Sequence, residues 1–245
     1  MDFLKDHPFA VASHFDTSLV LTYAVSKEQL QKFIPECLTL DTLGDKWAFI
    51  AVAMVKTKRL RPKGFPGFVG NDFILAGYRI FVKYKTSYGK RLRGLYIIRS
   101  ETDKTKMKIL GNVFTHYNYQ KTDIAFERNA NHIEVVSIKS NLLVKVEESD
   151  DHLPLPNNSP FKDWKEARRF AGPLPFTFTY DSTTKEVLII EGVRDEWTPK
   201  PVKVIESQVG FVDSLQLHGA VLANAFVIHN IPYYWKKGRK DKWKP

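Results

Sequence analysis

Apolar positions in this chain fall mostly into short runs and period-two alternations, each closed by a turn signal. "TSLVLTYA" (17–24) reads as a strand, and "KWAFIAVAMVK" (46–56) as a nearly continuous apolar strand buried on both faces. "DFILAGYRIFVKYK" (72–85) is a long strand whose interior Gly77 predicts a bulge or a close approach to the backbone. The turn "SYGKR" leads into "LRGLYIIRS" (92–100), which makes these two strands a hairpin. "TDIAFER", "HIEVVSIKS" and "NLLVKVE" form a meander, "PFTFTYDSTTKEVLII" a second hairpin, and "VKVIESQVGFV" a further strand.

Helical spacing is rarer. Ser26 and Gln29 make a capping box ahead of Leu30, Phe33 and Ile34, and Pro35 closes that short helix. Met107, Leu110, Gly111 and Phe114 fall on one helical face after Asp103, the expected N-cap. Ser159-Pro160 opens a helix over "FKDWKEARRFA", ended by Gly172. "LQLHGAVLANAFVIHN" (215–230) closes the chain as a helix or a strand. Helices do not alternate regularly with strands, and most strand neighbours are joined by turns. The expected class is therefore α+β and β-rich: a curved, mainly antiparallel sheet or barrel around a central cavity, in one domain spanning 1–245.

Composition adds volume and a compartment. With 43% apolar residues, a core and a ligand-sized cavity both fit in 245 residues. Cys37 is the only cysteine, so a disulfide framework and a multi-cysteine metal site are excluded, and a cytoplasmic location is the default. The start "MDFLKDHPFAVASHFD" lacks the basic and apolar regions of a signal peptide. No run reaches the roughly 18 apolar residues of a membrane helix, so membrane insertion is not expected. Net charge is +10, and "KKGRKDKWKP" (236–245), with six Lys/Arg and one Asp, supplies half of it. That stretch reads as a solvated, partly frayed basic tail.

Nucleotide-binding glycine loops, H-E-x-x-H and G-x-S-x-G are all absent, and the seven histidines are scattered. No metal and no cofactor are expected.

Three stretches together resemble the acetoacetate decarboxylase-like superfamily, in particular its uncharacterised domain-of-unknown-function branch. They are "LQKFIPECLTLDTLGDKWAFIAVAMVKTKRLRP" (30–62), "FILAGYRIFVKYKTSYGKRLRGLYIIRSET" (73–102), and "GNVFTHYNYQKTDIAFE" (111–127) with the meander after it. The resemblance implies a curved sheet enclosing a cavity, and lyase chemistry on an oxo acid through a lysine Schiff base. The motif carrying that lysine places Gln120 and Lys121 at its two lysine positions. Gln cannot form an imine. Leu75 stands where the hairpin glutamate would be, while Arg79 matches an arginine of the branch. Schiff-base decarboxylation is thus disfavoured.

Strand parity sorts the same stretch independently. Gln120, Thr122, Ile124 and Phe126 share one face, and Lys121, Asp123 and Glu127 the other. Extended backward, the first face carries His116 and Asn118. This predicts an inward row of His116, Asn118 and Gln120, with Lys121 outside. The candidate set is then Arg79, Asn118 and Gln120 for ligand binding, and His116, Tyr119 and Lys121 for catalysis. Arg79 would clamp a carboxylate, and His116 or Tyr119 would handle protons. Phe65, Phe68 and Phe73 supply either a lid or an anchoring loop. The expected partner is a small anionic or carbonyl ligand, and homo-oligomer formation is left open. The alternative function is binding of nucleic acid or an anionic surface through the basic tail, with Trp235 and Trp243.

Overall fold

A computed structural model describes residues 2–149, 153–171 and 174–244. The apolar runs become long strands. β1 (Val11–Ser26) pairs antiparallel with β3 (Trp47–Pro62), and β3 with β4 (Asn71–Lys85). The short β2 (Thr39–Leu40) lies beside β4, which turns into β5 (Arg91–Thr102) as the predicted hairpin. β6 (Tyr119–Lys121) joins β5 in parallel. The meander is β7 (Ala125–Asn129), β8 (His132–Ser137) and β9 (Leu142–Glu148). The second hairpin is β10 (Phe176–Asp181) and β11 (Glu186–Val193). Then follow β12 (Lys200–Val209), β13 (Val221–Trp235) and β14 (Arg239–Lys242).

Neighbour order along the sheet is β14-β11-β10-β5-β4-β3-β1-β13-β12-β9-β8-β7. An extra pairing of β11 with β13 brings distant parts of this curved sheet together. The ladder is antiparallel apart from β5 with β6 and β5 with β10, as short turns require.

The helices are short: α1 (Lys27–Gln31), α2 (Thr105–Phe114), α3 (Trp164–Ala171) and α4 (Gly210–Ser214). Residues 221–230, which fit helix or strand by pattern, lie in β13. The N-cap of α2 is Lys104 instead of Asp103, because the Asp103 carboxylate accepts the Ile74 amide at 2.8 Å. Gly172, the expected end of α3, lies outside the described residues.

β3 is buried on both faces from Ala48 to Val55, and its alternation separates two layers. Ile50, Val52 and Met54 pack on one side with Leu19, Leu21 and Ile80. On the other side Ala51 and Ala53 sit with Val20, Phe81 and Phe226. Large residues fill the first face. The small alanines, joined by Gly77 on β4, leave the second face hollow.

Cys37 packs in the first layer, where burial pushes its thiol pKa up to about 12. The native protein is therefore expected to resist iodoacetamide at pH 8 and to be alkylated once unfolded. Rapid native labelling by intact mass would overturn this.

The basic stretch is not a free tail. Arg239–Lys242 pair with Glu186–Ile189 of β11. Buried Asp241 accepts hydrogen bonds from the Tyr84 hydroxyl at 2.7 Å and the Ser87 amide at 2.9 Å. Lys236 pairs with Glu191, and Lys240 with Asp6 and Glu186. Sequence pattern missed this because a single Asp among six cations looks solvated, whereas it is the group that pins the strand.

Candidate functional site

The hollow between β1, β3, β4, β11 and β13 is a cavity of about 140 Å³. Its apolar wall includes Val20, Ala51, Ala53, Leu75 and Phe226. Two arginines reach it.

Arg79 sits on β4, where the β4–β5 register shifts between Tyr78 and Arg79. The extra residue at this shift is Ile98 of β5, so alternation along β4 is unbroken: it turns Leu75, Gly77, Arg79 and Phe81 to the cavity and Ala76, Tyr78 and Ile80 to the opposite layer. Gly77 makes room: a Cβ there would lie 3.0 Å from Arg79 Nη2. Among the described residues no hydrogen bond or ion pair reaches the guanidinium, and its buried Nε has no partner. Burial lowers the pKa of Arg79, and the phenols of Tyr233, Tyr119 and Tyr117 oppose that shift. An arginine stays charged all the same. The cavity thus holds a cation with no counter-ion.

Arg194 follows β11 and donates to the Tyr233 hydroxyl at 3.1 Å, its guanidinium 4.5 Å from the Trp197 ring centre. Trp197 Nε1 and Thr22 Oγ1 are buried at the same cavity without partners. Gly192 is obligatory here, since a Cβ would fall 1.9 Å from the Tyr233 hydroxyl.

Tyr117 and Tyr119 complete the wall. The Tyr117 hydroxyl meets Thr177 Oγ1 at 2.7 Å. Asn112 holds the Tyr119 backbone by two bonds, at 2.8 Å to its amide and 2.9 Å from its carbonyl. Gly111 lets the Tyr119 ring lie against α2, where a Cβ would meet the ring at 2.3 Å. Desolvation pushes Tyr119 up to about 12 and raises Tyr117 and Tyr233 as well. All three phenols therefore keep their protons at neutral pH and offer O–H donors.

No Asp, Glu, Lys or His lines this cavity among the described residues. The arrangement can bind an anion and donate hydrogen bonds to it. It holds no amine for an imine and no carboxylate for general-base work.

The predicted inward row is reversed. Alternation holds, with Tyr117 and Tyr119 pointing in and His116 and Asn118 exposed, but the face shared with Ile124 and Phe126 belongs to the first layer and not to the cavity. His116 lies 4.0 Å from Asp6 on the outside. Gln120 is half-buried opposite Glu101 on β5 and does not line the cavity, and Lys121 is exposed. Of the six candidates, Arg79 and Tyr119 meet at the cavity. Sequence reasoning missed Arg194, Tyr233 and Trp197, which no local motif ties to Arg79.

Solved structures share this architecture. An acetoacetate decarboxylase-like enzyme from Sphingomonas wittichii RW1 superposes with a TM-score of 0.58 at 11% identity, covering 98% of this chain and 94% of that one. Acetoacetate decarboxylase from Legionella pneumophila gives 0.56 at 12% identity, covering 94% and 86%. The enduracididine biosynthesis enzyme MppR complexed with pyruvate gives 0.57 at 10% identity, covering 95% and 90%. The fold is acetoacetate decarboxylase-like. Within it, the chain belongs to the DUF2071 family, described as an uncharacterized conserved protein, whose model matches residues 13–230. A search of curated protein sequences gives no match. Among the described residues no helix is long and apolar enough to cross a membrane.

Proposed function

We propose that this protein binds a small carboxylate metabolite, with or without an adjacent carbonyl, in the cavity under Arg79. One observation carries the reading: among the described residues, a guanidinium without a partner faces a cavity that no acidic side chain lines. A buried charge is costly unless it is paired, so such a site is built to be completed by an anion. Arg194, Trp197 and the three protonated phenols supply further donors around it. The pyruvate complex of MppR, an oxo acid on the same fold, supports this ligand class.

The reading gives Schiff-base chemistry no place, because Lys121 lies outside and no other lysine lines the cavity. It likewise leaves His116, Asn118 and Gln120 without a role, and makes Tyr119 a hydrogen-bond donor to the ligand. Any lyase activity on an oxo acid would then rest on stabilising developing negative charge at Arg79 and the phenols.

Calorimetric titration with pyruvate and with 2-oxobutyrate, followed by borohydride reduction and intact-mass measurement, tests the proposal. Saturable binding with unchanged protein mass is expected. A reduced adduct on any lysine would overturn the non-covalent reading, and absence of binding by every small carboxylate tried would overturn the ligand class.

A further inference from the structure

A second chamber of about 380 Å³ adjoins the arginine cavity. Phe15, Leu75, Tyr117, Tyr119 and Trp235 line both, so the two spaces share one wall. Beyond that wall the outer chamber is bounded by Leu60, Phe73, Met107, Leu110 and Phe114. Its polar exceptions include His7 Nδ1 and Thr57 Oγ1, both buried without partners. Desolvation lowers the His7 pKa, which keeps that ring neutral near pH 7. The cations Arg61 and Lys106 also border the chamber, and Arg61 is engaged with the Phe65 and Arg59 carbonyls, both at 2.8 Å. No acidic side chain lines it among the described residues.

Small polar metabolites do not need this space. Pyruvate would occupy only the inner cavity, leaving an apolar room more than twice its size unfilled. Resting on the carboxylate reading above, we propose that the ligand is an amphipathic carboxylate: its head meets Arg79 and Arg194, and its hydrocarbon part passes the Tyr117–Tyr119 wall into the outer chamber. A dry apolar cavity of about 150 Å³ accepts benzene, so the outer chamber has room for up to roughly a dozen carbons. The two tyrosines fit the boundary between the spaces, with rings against the apolar lining and the Tyr117 hydroxyl on Thr177 Oγ1.

The test is calorimetric titration of the full chain with straight-chain saturated acids from two to fourteen carbons, each below its micelle concentration, and with the matching alcohols. Affinity should rise about three- to fourfold per methylene until the chamber is full and then level off. The alcohols should bind at least tenfold more weakly than the acids. Leu110→Trp, which fills the outer chamber, should flatten the length dependence, with thermal melting confirming that the variant folds. If it does not fold, the series on the unaltered chain decides alone. Equal affinity for short and long acids would overturn the two-chamber inference and leave the Arg79 reading standing. Failure of every acid, long and short, would bring down both. Alcohols binding as tightly as acids would show that the head group is not held by the arginines, and would overturn the proposal.

Discussion

Arg79→Met should abolish carboxylate binding while making the empty protein more stable. Methionine keeps an unbranched, flexible apolar stem and removes the charge and its donors, at the cost of a shorter side chain. Losing one partner of a buried, hydrogen-bonded charge pair costs about 2–5 kcal/mol, or roughly 30-fold to several thousandfold in affinity. In the empty protein the sign reverses. Among the described residues the guanidinium has no counter-ion and its Nε no partner, so its burial opposes folding. Replacing such a functional but destabilising group commonly gains about 1–2 kcal/mol. For a chain of this length that gain raises the melting temperature by about 2–8 °C. Titration calorimetry reads the first effect and a thermal melt without ligand reads the second. Unchanged affinity would remove Arg79 from the site. A variant that melts lower than the unaltered chain would show that Arg79 has a stabilising partner.

These opposed effects bear on what the sequence could reveal. The fold class was legible because period-two runs, turn residues and irregular short helices leave few alternatives to a curved antiparallel sheet. The cavity was half legible. Alternation of alanine with larger residues from Ala51 to Met54 marks one face of β3 as hollow, and Gly77 marks the neighbouring space on β4. Arg79 could be placed by resemblance and by its position two residues after Gly77. What failed was the inward row at 116–120, since the apolar face of Ile124 and Phe126 packs into the first layer while the cavity lies on the other face, with Tyr117 and Tyr119. Arg194 and Tyr233 were out of reach for a different reason. They come to Arg79 through the pairing of Gly192 with Trp235 and of Val193 with Tyr234, a long-range closure of the sheet that local pattern does not encode. The basic stretch misled in the same way, because its one aspartate is buried by contacts with Tyr84 and Ser87, more than 150 residues away in sequence.

Glu101→Ala should have the opposite consequence to Arg79→Met and destabilise the protein severely. Glu101 lies on β5 and is fully buried. Its Oε1 is 2.7 Å from Arg99 Nη2, and its Oε2 accepts the Tyr78 hydroxyl at 3.2 Å. Phe211 of α4 closes over the group, its ring 4.6 Å from that of Tyr78 and 4.8 Å from the Arg99 guanidinium. Burial first, and then the neighbouring carboxylate, raises the Tyr78 pKa far above its ordinary value, so the phenol remains a donor throughout the accessible pH range. Truncation would strand the arginine, leave the hydroxyl without an acceptor and open a void between β5 and α4. Breaking a buried pair from one side costs about 3–5 kcal/mol, a fall of roughly 6–20 °C in melting temperature. Glu101→Gln retains the volume and an acceptor for Tyr78, so it should fall between the alanine variant and the unaltered chain. Carboxylate binding at the remaining folded fraction should be unaffected, because Glu101 does not line the cavity. A loss under about 1 kcal/mol for Glu101→Ala, the value of an exposed ion pair, would show that this cluster does not hold α4 to the sheet. Set beside Arg79→Met, that result would separate two buried charges one strand apart: Glu101, paired within the chain, as a stabiliser of the fold, and Arg79, unpaired among the described residues, as the proposed ligand's partner held at the fold's expense.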